Sequence, residues 1–484
     1  MISIDAAYVD AAAPNAAAGK NGRALILKGK FKKLLVSPDG SLIFGECQGS
    51  GASPYSCSCD FIRPDAPTYR CSCPSRQFPC KHCLGLMYAF ADGKSFTTAE
   101  VPEDLAQKRD KLQQRSEKKK EEQEKPKQVD KGALAKKIKA QLAGLDLLET
   151  LTIDLVRMGM GNTSAKTAKQ IEEQAKQLGN AYLPGAQAAL HNYTKLFLGN
   201  DGAFDSDVPA TKREAIYSEA LDQLTRLHTL VKQGRAYLSW RLEDPELAPE
   251  TQSSIAAWLG HAWQLRELRD AGLVETDVEL VQLAFNSYDD VARSEYVDTG
   301  IWMNLKTGKI QVTQTFRPYK AAKYIKSDDS FFQVAQVKEL CVYPGDVNPR
   351  IRWEAMTPRA IEKQDFQVIR QHAQPEFAAA VKEVKGHLKS PLADRRPVFA
   401  LRYAQIGLVD GALVAEDAKG DRLALTESGI AEEPPSCNLF YLLPEELFKN
   451  QTLVARFHHD LDARKLRIKP LAIVTDSAVV RLTY

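Results

Sequence analysis

Cys71-Ser72-Cys73-Pro74-Ser75-Arg76-Gln77-Phe78-Pro79-Cys80-Lys81-His82 is the stretch from which the rest of the chain can be read. Cys71 and Cys73 stand two apart, as do Cys80 and His82, with six residues between the pairs. On extended backbone or a tight knuckle, residues i and i+2 project to the same side, so each pair can grip one ion from a short piece of chain. The two pairs together offer three thiolates and one imidazole. Such a set is soft, closed and tetrahedral, which suits Zn²⁺ in a structural site and leaves no open position for a substrate. The competing reading of the same residues is a group of buried or redox-active thiols without metal.

The flanks agree with a metal knuckle. Tyr69-Arg70 reads as strand, and residues 84–90 read as a short helix ending near Gly93, which puts Cys80 and His82 at its first turn. Free N–H groups and the positive end of the helix dipole favour thiolate over thiol there. Arg70, Arg76 and Lys81 are expected to offset the excess negative charge of three thiolates, while Pro74 and Pro79 stiffen the connecting loop.

The run C-S-C-P-S-R-Q-F-P-C-K-H resembles the SWIM zinc finger, C-x-C…C-x-H, of bacterial SWIM zinc-finger family proteins. Gly45-Glu46-Cys47-Gln48-Gly49-Ser50-Gly51 with Pro54-Tyr55 is similar to the approach to that finger. Gly144-Leu145, Asp154-Leu155-Val156-Arg157-Met158-Gly159 and Leu183-Pro184-Gly185-Ala186 resemble the helical region behind it. The likeness runs over about residues 16–198 and is vague beyond. It implies Zn²⁺ held by Cys71, Cys73, Cys80 and His82. It also implies protein partners, a MoxR-type AAA+ ATPase and a von Willebrand factor A protein, in systems of assembly, remodelling or metal insertion. SWIM domains are regarded as DNA- or protein-binding modules, so nucleic acid is the alternative partner. Cys57 and Cys59 depart from the family pattern, whose corresponding positions are plain strand residues. A second metal site with Cys83 or Cys47, or one face of a strand, are the two readings open for them.

Composition sets bounds on this reading. A chain of 484 residues is long enough for two or three domains with their own cores, and 44% hydrophobic with 26% charged residues is ordinary for a soluble protein. No apolar run of about eighteen residues is present, so no membrane span is expected. The start of the chain lacks a basic region followed by an apolar core, so no secretory signal is expected. Seven of the nine cysteines fall between Cys47 and Cys83, the clustering of a metal site in a reducing cytoplasm and not of a disulfide framework. A net charge of +3 does not announce nucleic-acid binding, though Lys28, Lys30, Lys32 and Lys33 could contact phosphates.

Taken in order, the chain predicts an α+β multidomain protein. A small zinc-bound ββα SWIM domain over residues 1–98 precedes a charged linker over 99–131 that carries Glu117-Lys118-Lys119-Lys120-Glu121-Glu122. A helical bundle over 132–275 and a mostly antiparallel α+β domain over 276–484 follow. In the first domain one helix is expected over 11–27, then strands at 34–36, 41–47, 54–60 and 68–71. Leu134, Ile138, Leu142, Leu145, Leu148, Leu151 and Leu155 make a helical stripe. Further helices are expected over 164–178, 184–198, 210–233 and 251–271. Strands are expected at 301–305, 309–316, 331–343, 350–354, 398–406, 412–416, 422–425, 439–443, 452–458 and 465–475, with helices over 358–372 and 375–389 between them.

Two other stretches touch on chemistry. Gly159-Met160-Gly161-Asn162-Thr163-Ser164-Ala165-Lys166-Thr167 has part of the spacing of a phosphate loop, but it follows a helix and has Ala165 where glycine is needed. His458-His459-Asp460 reads as a polar hairpin tip, because adjacent strand residues face opposite ways. No catalytic residue is expected. The chain reads as a zinc-binding adaptor that recognises proteins, with DNA or RNA binding through the finger as the alternative.

Overall fold

Pro14 decides how the chain begins. It cannot donate to a helix ladder, so the short helix expected within 11–27 starts beyond it, as α2 (Ala16–Leu27), and a separate helix, α1 (Ala6–Ala12), precedes it. Asn15 caps the second by accepting from the Ala18 N–H at 2.8 Å. These elements come from a computed structural model, which describes residues 4–49, 53–62, 67–75, 79–110, 131–199, 204–205, 208–244, 247, 250–251, 253–291, 293–322, 327–345, 347–427 and 434–482. The chain divides into two units, Met1–Gln128 and Val129–Tyr484.

In the first unit, β1 (Phe31–Val36), β2 (Leu42–Cys47), β3 (Tyr55–Asp60) and β4 (Thr68–Cys71) form an antiparallel meander. The short β5 (Thr97–Thr98) adds to β1 in parallel, giving the order β4-β3-β2-β1-β5. Gly40, at φ +64°, makes the β1–β2 turn in a backbone conformation other residues resist. Helix α3 (Lys81–Ala91) is buried along most of its length, from His82 to Ala89. It packs against α2 at a glycine crossing: a Cβ on Gly22 would lie 3.0 Å from the Leu84 Cβ, and one on Gly85 would lie 3.0 Å from the Gly22 carbonyl oxygen. Asp10 joins all three helices, pairing with Arg23 at 2.8 Å and accepting from the Tyr88 hydroxyl, while the Arg23 guanidinium stacks 4.2 Å from the Tyr88 ring. Of the charged linker, residues 103–110 are helical, and the Glu117 to Glu122 run lies outside the described residues.

The second unit opens with α4 (Lys131–Met158), α5 (Ala165–Asn180), α6 (Pro184–Lys195) and α7 (Ala210–Glu243). Leu145, Leu148, Ile171, Leu190, Leu227 and Leu230 meet in their common core. The expected helix over 251–271 is two short ones, α8 (Ile255–Trp258) and α9 (Leu265–Asp270), because Gly260 turns to φ +76° between them. The long β6 (Val274–Asp290) then pairs on one side with β7 (Glu295–Asn304) and on the other with β9 (Val334–Val342). With β8 (Ile310–Pro318), β10 (Ile351–Arg352) and β11 (Thr357–Arg359) they form a six-stranded antiparallel sheet. Pro358 belongs to β11, so the helix expected from that residue starts later, as α10 (Lys363–His372); α11 (Phe377–His387) follows.

A four-stranded sheet contains β12 (Val398–Arg402), β16 (Thr452–Asp460), β17 (Lys465–Val474) and β18 (Val479–Arg481). A three-stranded one contains β13 (Gln405–Val409), β14 (Ala412–Glu416) and β15 (Arg422–Ala424). The strand expected over 439–443 is instead a 3-10 helix, Cys437–Leu442: only Phe440 is buried, while Tyr441 and Leu442 face outward, so the alternation a strand needs is missing. The protein is therefore α+β with several antiparallel sheets. No described helix is long and apolar enough to cross a membrane.

Candidate metal centre

Three elements bring the donors together. Cys71 ends β4, Cys73 lies in the bend after it, and Cys80 is the N-cap of α3, with His82 in the helix's first turn. Their donor atoms all lie within 4.8 Å of one another. The His82 Nδ1 is 3.7 Å from the Cys71 Sγ and 3.9 Å from the Cys80 Sγ. Zn–S bonds of about 2.3 Å and a Zn–N bond of about 2.0 Å in a tetrahedron require separations of about 3.8 Å between sulfurs and about 3.5 Å between sulfur and nitrogen, so the two S···N distances are a few tenths of an ångström long. The spacing and the donor chemistry thus fit one ion. His82 is 3% exposed, and Cys73 and Cys80 are buried with it, which keeps water from competing for the site.

The thiols around the site differ in how readily they ionise. Cys80 is held far below the ordinary thiol value, first by the hydrogen bond from Cys71, then by Cys83 and by His82 and the Cys83 N–H. Cys71, the donor in that bond, is pushed up correspondingly. Cys80 also stands at the helix N-terminus, where backbone N–H groups favour negative charge. Cys57 is raised by burial and Cys47 is pushed up to about 11 by the same cause, so both stay protonated at neutral pH. Cys57 lies opposite Cys71 across the β3–β4 ladder, but its thiol donates to the Gly45 carbonyl at 3.6 Å. Cys59 donates to the Cys83 carbonyl at 3.6 Å, and Cys83 to the Arg70 carbonyl at 3.4 Å. Cys57 and Cys59 thus lie outside the four-donor group, and Cys83 borders it, its sulfur 3.8 Å from the Cys80 Sγ.

Sequence reasoning missed three residues here. The Tyr55 ring lies 5.0 Å from the His82 ring and tilted by 48°, closing one side of the imidazole. Asp60, 2% exposed, sits between the guanidinium groups of Arg70 at 3.5 Å and Arg109 at 3.3 Å. Arg70, expected to balance the thiolates, is thus engaged with a carboxylate, while Lys81 is exposed. Arg76 and Phe78 lie outside the described residues. Asp60 carried no signal, because a buried aspartate is recognisable only once its partners are known, and Arg109 is remote in sequence.

The other stretches resolve simply. Gly159, at φ +78°, leads through a 3-10 turn (Met160–Asn162) into α5, whose N-cap is Ser164, so the segment is a link between two helices. His458 and His459 lie near the end of the β16–β17 hairpin, where Asp460 pairs with Arg467 at 3.0 Å. Comparison of the chain with models of known families, with curated proteins and with solved structures finds no match.

Proposed function

We propose that the first unit is a SWIM-type finger with Zn²⁺ in a structural role, and that the protein is a non-enzymatic cytoplasmic adaptor. The observation that carries this is the closed donor set of Cys71, Cys73, Cys80 and His82, mostly buried and with all donor atoms within 4.8 Å of one another, close enough to converge on one ion. Four protein donors complete the shell, so the ion locks β4 onto α3 and offers nothing to a substrate. The family resemblance supplies the partners, a MoxR-type AAA+ ATPase and a von Willebrand factor A protein, which would read the surface that the ion holds in place. The second reading is nucleic-acid binding through the finger, favoured by the exposure of Lys28, Lys30, Lys32 and Lys33 in one segment, although Lys33 is paired with Glu46 at 2.7 Å.

Elemental analysis of the purified chain is expected to give one zinc per polypeptide, lost in Cys80→Ala; a content far below one would overturn the finger. Affinity purification from the native cell, with and without nuclease, separates the readings. An AAA+ ATPase retained after nuclease supports the adaptor, whereas partners lost with nuclease support nucleic acid.

A further inference from the structure

The second unit contains a cleft of about 820 Å³, within the range of ligand sites, and its lining departs from the charge balance of the chain. Arg226, Arg350, Arg352, Arg395, Arg396 and Arg456 line it, against three carboxylates, Glu219, Asp222 and Asp394. Asp222 is occupied by Arg395 at 2.7 Å. Among the described residues no carboxylate lies within ion-pair distance of Arg226, Arg350, Arg352 or Arg396, and no lysine lines the cleft. Arginine in place of lysine matters because the planar guanidinium presents paired N–H groups that match phosphate oxygens, which an ammonium cannot do; His261, His458 and His459 share the lining.

Two of these arginines are anchored by contacts that carry no counter-charge. Arg226 donates to the carbonyls of Pro391 at 3.0 Å and Ala393 at 3.5 Å, and lies 5.1 Å over the Trp258 ring. Arg350 lies over the rings of Phe316 at 5.0 Å and Tyr343 at 4.6 Å. Its Nε is buried with no hydrogen-bond partner among the described residues. Burial pushes both guanidinium groups below their ordinary value. Asp222, Asp394 and Glu219 act on Arg226 through space without forming an ion pair with it, and no carboxylate acts on Arg350; holding desolvated cations with so little counter-charge is costly, and an anionic ligand would offset it. Phe285, Tyr288 and Tyr343 add flat apolar faces to the same walls, and Asn286 and Gln314 add amides able to donate and accept.

We propose that this cleft binds the nucleotide unit, with phosphate on the arginines and the base among the aromatic and amide side chains. The unit can arrive as a free nucleotide or within a single strand of nucleic acid. Every residue of the lining belongs to the second unit, so the proposal does not rest on the finger.

The test uses the full-length chain. A fluorescein-labelled single-stranded DNA of about twelve nucleotides is titrated by anisotropy, and AMP and ATP are titrated by calorimetry. The decisive variant is Arg352→Glu, at an exposed position that makes no ion pair among the described residues, alone and combined with Arg396→Glu. Binding is expected to weaken at least about tenfold in the double variant, and the slope of log affinity against log salt to shrink by about 1.4, two phosphates at about 0.7 each. Unchanged thermal melting shows that the fold is intact; if the double variant melts early, Arg352→Glu alone carries the test with a slope change of about 0.7. Lys32→Ala with Lys33→Ala, and removal of zinc by chelator, are expected to leave binding unchanged. A strand bound far more tightly than AMP or ATP identifies nucleic acid as the source, and comparable binding identifies the free nucleotide. No binding of either probe, or binding lost with the two lysines and kept with the two arginines exchanged, overturns the proposal.

Discussion

The two units are held together by different means. In the first, the apolar cluster includes the donors Cys73 and Cys80 together with Leu84, Leu86 and Met87, so the residues that would grip the ion are themselves part of the core. In the second, the clusters beneath the helices and sheets are built from aliphatic and aromatic side chains distributed over many elements. Small domains commonly need such a staple because their apolar core alone supplies little stability, whereas larger ones spread it over many contacts. On the proposed zinc reading, stability is concentrated in a few atoms on one side of residue 128 and dispersed on the other.

The largest expected effect follows from removing a donor. Cys80→Ala or His82→Ala should release the ion and unfold the first unit, since a structural site contributes on the order of 10 kcal/mol to folding. Calorimetry should show the second unit melting as before, and a first unit that melts normally in chelator would break the contrast. Asp60→Ala comes next, with a cost of about 3–5 kcal/mol from leaving buried guanidinium groups without their carboxylate. Denaturant titration of the zinc-loaded protein measures it, and a cost under about 1 kcal/mol would show that solvent reaches Arg70 and Arg109.

On the other side, Leu230→Ala at a fully buried position of the helical core should cost about 2–5 kcal/mol and leave zinc content unchanged. Loss of zinc in that variant would mean the two regions are not energetically distinct. The smallest effect is a pH dependence of the second unit. Two hydrogen bonds from Arg359, at 2.8 and 2.7 Å, lower Glu279 from its ordinary 4.5 to about 2. A carboxylate lowered on folding stabilises the protein above its unfolded value and loses that contribution as pH falls toward 2. Because Glu279 is partly exposed, the change is about 1 kcal/mol or less. Glu279→Gln should flatten the stability profile of the second unit between about pH 4.5 and 2, and an unchanged profile would assign the dependence to other carboxylates.

How far the sequence could be read also differs between the regions. Cys71, Cys73, Cys80 and His82 were legible because metal chemistry demands particular atoms at short spacing, and β4 matches its expected span, residues 68–71. Strands with clear turn residues were legible too, such as β14 over 412–416. Boundaries failed where one residue overrode a pattern, at Pro14 and Gly260, and where hydrophobic residues were not buried, at Tyr441 and Leu442. The arginine cleft left only the short pairs Arg350 with Arg352 and Arg395 with Arg396 as a local trace, because these, Arg226 and Arg456 come from segments distant in the chain and share a wall only after folding. Asp60 and Arg109 were hidden for the same reason.

The contact between Asp60 and Arg109 also bears on where the first unit can be cut. Cleavage near residue 98, after β5, would leave all four cysteine and histidine donors in the fragment yet discard one of the two guanidinium groups that neutralise a carboxylate 2% exposed to solvent. A piece ending beyond residue 110 keeps that group. Limited proteolysis should accordingly yield a surviving amino-terminal fragment whose boundary follows Arg109, with residues 103–110 retained as a brace on the sheet.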